Sequence, residues 1–105
     1  MGRELTSHKV NGCNDALKIE VLDEPGSGGA NHFYSISGFD ANTNKSMPWG
    51  SGISKLPILF QNGPIPEVGT NGVTNEALLA ILIDRLERFQ DGPFACREND
   101  AALTF

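Results

Sequence analysis

The chain has 105 residues, 39% of them hydrophobic, with a formal net charge of −5 and a pI near 4.8. That length fits one small domain with a modest core, which oligomerisation often completes. The acidic balance excludes a duplex nucleic-acid binder, which needs a basic face, but not a small anionic ligand held by a few local cations.

Residues 1–15 are polar and carry Asn11-Gly12, so they read as an N-terminal arm or loop. In residues 17–22 (LKIEVL), Leu17, Ile19 and Val21 alternate with Lys18 and Glu20, the pattern of a half-buried strand. The glycines and proline of Glu24 to Asn31 predict a flexible turn. Residues 32–39 (HFYSISGF) then predict a second strand carrying Tyr34 and Ile36, with Phe33 and Phe39 as further apolar candidates. Two strands and a short loop predict an antiparallel hairpin.

Residues 40–55 are rich in turn formers and contain the only tryptophan, Trp49. A loop this long in a compact domain is more often functional or mobile than accidental. A third strand, Leu56 to Gln61, leads to Asn62-Gly63, the strongest short-range signal for a type I′ hairpin turn. Pro64 and Pro66 cannot donate ladder hydrogen bonds, so the return arm is expected to be an edge strand or irregular.

Thr74 suits a helix N-cap, and Glu76 places negative charge in the first turn, where the helix dipole favours it. Residues 75–90 are mostly strong helix formers. Gly92 and Pro93 then stop one helix and start another over residues 94–105. The expected fold is therefore α+β: an N-terminal antiparallel β meander over residues 16–68, then an antiparallel helical hairpin over residues 73–105, in one domain.

On a wheel of 3.6 residues per turn, Leu78, Leu82, Arg85 and Phe89 fall within a sector of about 60°. Leu79, Ile81, Ile83 and Leu86 flank it, while Ala80, Asp84 and Glu87 occupy the polar side. Arg85 thus projects from an apolar stripe one turn before Phe89. Two readings stand side by side. In one, Arg85 snorkels to the helix end or pairs with an acid of a partner subunit, and Phe89 is core. In the other, Arg85 and Phe89 wall a ligand site, the ring facing a base and the guanidinium a phosphate. Arg88, four residues after Asp84, reads as half of a surface pair of small energetic value.

The start of the second helix offers backbone N–H groups to an anion, with Arg97 and Asn99 in its first turns. Asn99 can both donate and accept, as reading a base edge or a ribose hydroxyl requires. Ordinary capping is the alternative for both residues. His8 and His32 lack metal-ligand spacing, and no serine or threonine is marked as activated beside a base. The GSGGAN loop lacks the Lys-Ser/Thr of a phosphate-cradling loop. No catalytic residues, metal or cofactor are therefore assigned, and enzyme activity is not expected. Cys13 and Cys96, without CxxC spacing, read as reduced, half-buried thiols of a cytosolic protein, a disulfide being open only to a fold that brings them together. No signal peptide is evident, and the longest apolar run is too short to span a bilayer, so a soluble intracellular protein is expected.

The run FQNGPIPEVGTNGVTNEALLAILIDRLERFQDGPFACREN, with the upstream HKVNGCNDALKIEVLDEPGSGGANHFYSISGFD, resembles phage proteins of the Thoeris anti-defence family. In particular it resembles the first-described group, whose helical hairpin is shared with anti-CBASS cyclic-nucleotide sponges. The resemblance implies a protein that sequesters the cyclic signal of a bacterial immune system, an isomer of cyclic ADP-ribose, without cleaving it. It implies a homo-oligomer acting in the host bacterial cytoplasm, with no duplex nucleic acid or membrane as partner. Carried onto this sequence, Phe89 matches the family's base-stacking aromatic and Asn99 a polar ligand contact. Arg97 is a candidate phosphate contact, and Arg85 is added from the wheel. Family members continue after ALT with a long basic helix, so the second helix is expected to be truncated at Phe105. The alternatives are a sponge for CBASS cyclic di- or trinucleotides, and a self-assembly protein that binds no nucleotide.

Overall fold

The computed structural model describes residues 2–10, 12–46 and 53–92. Four strands, β1 (Arg3–Leu5), β2 (Lys18–Val21), β3 (Phe33–Ser37) and β4 (Lys55–Leu59), form one antiparallel sheet in the order β1-β2-β3-β4. A short helix, α1 (Ile65–Val68), and a long one, α2 (Asn75–Gln90), follow. The architecture is α+β, as expected. The chain divides into two compact units, residues 1–72 with the sheet and α1, and residues 73–105 with α2. The predicted second helix lies outside the described residues.

The alternation seen in LKIEVL sets the sheet's two faces. Ile19 pairs with Ile36 and Leu5, and Val21 with Tyr34, while Tyr34 and Ile36 pair onward with Ile58 and Leu56. Because neighbouring residues alternate sides, all of these share one apolar face. Glu4, Lys18, Glu20, Ser35 and Ser37 share the other. Val21 is 1% exposed and, with Ala41, makes up the buried apolar set among the described residues. Phe60 extends the apolar face, its ring edge-on to Tyr34 with centroids 5.6 Å apart. Its N–H donates to the His32 carbonyl at 2.7 Å, lengthening the β3–β4 ladder.

Two expectations need correction. The N-terminal arm is not all loop: residues 3–5 pair with β2 in register Glu4↔Glu20. Three residues give little strand signal in a sequence, and a tertiary ladder supplies what local pattern lacks. His8 then ties the following turn back, donating from Nε2 to the Leu17 carbonyl at 2.7 Å.

The second correction concerns Asn62-Gly63, which makes no type I′ turn. That turn needs positive φ at both central residues, and only Gly63 has it, at 99°. The backbone enters α1 instead of a return strand. Pro64 caps α1 with Pro66 in its first turn, where a missing N–H costs nothing. Side chains satisfy the backbone that a partner strand would have used. The Asn62 N–H donates to Asn71 Oδ1 at 2.9 Å, and Asn71 Nδ2 donates to the Asn62 carbonyl at 2.8 Å.

Asp23 organises the β2–β3 connection. Its carboxylate accepts the His32 N–H at 2.9 and 3.1 Å and the Phe33 N–H at 3.1 Å. Desolvation pushes its pKa up, but the His32 and Phe33 N–H groups, its own N–H and the His32 charge together outweigh this and lower it. A carboxyl that titrates lower in the fold than in the unfolded state stabilises the fold above the ordinary carboxylate range. That contribution is lost as pH falls through the lowered value. Thermal melts should therefore show an acid-side decline that Asp23→Asn flattens, with the variant less stable at neutral pH. A variant that melts like its parent across the range would show that Asp23 does not hold the connection.

Candidate functional site

Arg85 and Phe89 both lie on α2, whose two ends are closed by hydrogen bonds. Thr74 has extended backbone and accepts the Ala77 N–H on Oγ1 at 3.1 Å, the N-cap read from sequence. Such caps are worth about 1 kcal/mol. Glu76 and Arg88 place acid and base at the ends the dipole favours. The helix then runs for 16 residues to Gln90 and closes at Asp91, whose N–H returns to the Glu87 carbonyl at 3.1 Å.

Along this helix most of the flanks of the apolar stripe are open, while two of its central residues are partly covered. Leu79, Ile81, Leu82 and Ile83 are 46–63% exposed, whereas Leu78, Leu86 and Phe89 are half-buried. Arg85 pairs with no acid among the described residues. Its guanidinium carbon sits 4.9 Å from the centre of the Phe89 ring. That is a cation–π contact, made because residues four apart meet on one helix face. Arg85 and Phe89 are thus brought together, as the wheel predicts. The expected Asp84–Arg88 pair is not among the ion pairs of the described residues, which include Lys9–Glu4 at 3.7 Å and Lys18–Glu20 at 3.9 Å. A single exposed pair is worth too little to order two long side chains reliably.

Arg97, Asn99, Cys96 and Trp49 lie outside the described residues, so the rest of the predicted site does too. Cys13 is exposed rather than half-buried. His8 and His32 hold structural places, His8 at the Leu17 carbonyl and His32 buried at 7% exposure. No helix among the described residues is long and apolar enough to cross a membrane.

Sequence reasoning missed a concavity in the sheet unit. A cleft of about 480 Å³ opens where β3 ends and β4 begins, lined among others by Phe39, Ala41, Lys45, Lys55 and Leu56. Asp40, also on its wall, is occupied as a cap, accepting the Asn42 N–H at 3.0 Å. The cleft therefore combines an apolar floor with two lysines in an acidic protein. Its lining comes from residues 39–45 and 53–56 with no shared periodicity, so only the tertiary fold assembles it.

What the α2 pair can do is bind. An aromatic face with a guanidinium beside it offers stacking to a planar base and charge-assisted hydrogen bonds to a phosphate. Asp84 and Glu87, the acids nearest in sequence, fall on the polar side of the helix wheel.

Comparison with known proteins points to the same segment. Residues 53–104 match the family model for the Acb2/Tad1 hairpin domain. The sequence is also similar to Thoeris anti-defense 1 of Bacillus phage SBSphiJ7, at 56% identity over 47 residues. That match covers 45% of this chain and 33% of the relative, so the match spans about a third of the length of the curated protein. Residues 53–104 thus carry the Acb2/Tad1 hairpin domain, and together with the phage relative they support the Thoeris anti-defence family.

Proposed function

We propose that the protein binds a bacterial immune cyclic nucleotide, an isomer of cyclic ADP-ribose, and sequesters it without cleavage. The observation that supports this most is the Arg85–Phe89 pair, a cation and an aromatic face joined on the family's hairpin segment. In this reading the adenine stacks on Phe89, and Arg85, with Arg97 and Asn99 from the following segment, contacts phosphate and ribose. The exposed Leu79, Ile81, Leu82 and Ile83 support assembly into a homo-oligomer, since apolar area of this kind is stabilised when a second copy removes it from water. The protein would act in the host bacterial cytoplasm, where the signal is produced.

Sequestration differs from catalysis in what comes back. Calorimetric titration with the cyclic ADP-ribose isomers is expected to give saturable binding. Heating the complex and chromatographing the released nucleotide is expected to return it unchanged. Degraded nucleotide would overturn sequestration in favour of an enzyme. Binding confined to cyclic di- or trinucleotides in a parallel titration would move the ligand to the CBASS class, and no binding to either would leave self-assembly as the function.

A further inference from the structure

The loop from Gln61 to Asn71 is closed by its own polar side chains. Gln61 Nε2 donates to the carbonyls of Gly63 and Gly69 at 3.1 and 2.9 Å, and its Oε1 accepts the Asn71 N–H at 3.0 Å. Asn71 grips Asn62 at both backbone groups, with Oδ1 on its N–H and Nδ2 on its carbonyl. The loop thus brings together two Asn-Gly dipeptides, Asn62-Gly63 and Asn71-Gly72. Asparagine before glycine is the dipeptide most open to spontaneous deamidation, because no side chain shields the following peptide nitrogen. In that reaction the glycine nitrogen loses its proton to base and bonds to the asparagine Cγ. The bond from Cγ to Nδ2 breaks and ammonia leaves. Water then opens the cyclic imide at either carbonyl, giving aspartate or isoaspartate, with no change of oxidation state.

We propose that Asn62-Gly63 is a spontaneous modification site of the folded protein, and that the Asn62–Asn71 clamp protects Asn71-Gly72. The two dipeptides are chemically alike, and their surroundings differ. Asn62 is exposed, and among the described residues its side-chain amide has no hydrogen-bond partner. No acceptor among them takes the Gly63 N–H, which leaves that nitrogen available for attack. Both amide atoms of Asn71, in contrast, are held on the backbone of Asn62, nine residues away. Its Cγ reaches the Gly72 nitrogen only after both bonds break.

Modification at position 62 also has a structural consequence. Isoaspartate routes the backbone through Cβ and Cγ and adds a methylene between the N–H and the carbonyl that Asn71 holds together. The spacing then no longer matches the two ends of one amide. Conversion at 62 therefore opens the clamp and exposes Asn71 in turn, so the modifications follow an order.

The test incubates the full-length protein in mildly alkaline buffer, with a parallel sample in concentrated urea. Cleavage after Glu67 puts the two sites on separate peptides, and mass spectrometry reads conversion at each. In the native protein Asn71 is expected to convert roughly tenfold more slowly than Asn62, the factor set by breaking its two hydrogen bonds. In urea the two rates are expected to be equal. Equal native rates, a faster Asn71, or a difference that persists unchanged in urea would each overturn the proposal.

Discussion

Replacing Gly38 by alanine is expected to destabilise the sheet unit by roughly 2–4 kcal/mol. Gly38 follows β3 directly and has φ +95°, a conformation that L side chains rarely adopt. A Cβ built there would lie 1.8 Å from the Ala16 carbonyl oxygen and 2.9 Å from its carbon. Both neighbours are backbone atoms at the entry to β2, so no side-chain rotation relieves the clash. The backbone must shift at the point where β2 and β3 come into register, Lys18 opposite Ser37. Small domains are stable by only about 5–15 kcal/mol, so the loss is a large fraction of the whole. Urea denaturation followed by far-UV circular dichroism measures it. A midpoint and slope equal to the parent's would show that the backbone yields at no cost, and that Gly38 does not set the β2–β3 exit.

Phe89→Ala carries the largest expected effect on binding. Base–aromatic stacking contributes about 1–3 kcal/mol per base, which corresponds to a roughly tenfold to hundredfold weaker affinity for the cyclic nucleotide. The fold loses the burial of a half-buried ring and the contact with Arg85, the latter worth about 0.5–1 kcal/mol. The loss is partly offset because alanine is the better helix former. Calorimetry beside a thermal melt separates the two effects. A folded variant that binds as tightly as the parent would remove Phe89 from the site. An equal loss of affinity in Arg85→Leu, whose ring is intact, would assign the energy to the guanidinium.

Legibility in the sequence followed the range of the interactions involved. β2, β3 and α2 were readable because each is specified within a few residues: the alternation of Leu17 to Val21, the apolar run from Tyr34, and Thr74 before a long stretch of helix formers. The ends fell within a residue or two of the expected ones. β1 was not readable, because residues 3–5 become a strand only through pairing with β2. The turn at Asn62-Gly63 was misread for a related reason. A dipeptide that favours a hairpin was overruled by the two prolines that follow it and by an asparagine nine residues on.

The candidate site divides along the same line. By itself the sequence determined that Arg85 and Phe89 share a helix face, since a spacing of four residues fixes that in any α-helix. It also determined the apolar stripe around them and the segment that carries the family match. That the Arg85 guanidinium takes the Phe89 face is visible only in the structure, because a long flexible side chain has many staggered rotamers and the helix wheel does not choose among them. The Lys45–Lys55 cleft and the Asn62–Asn71 clamp were likewise decided in three dimensions. Each joins residues nine or more positions apart, and such contacts exist only after folding has closed the loops between them.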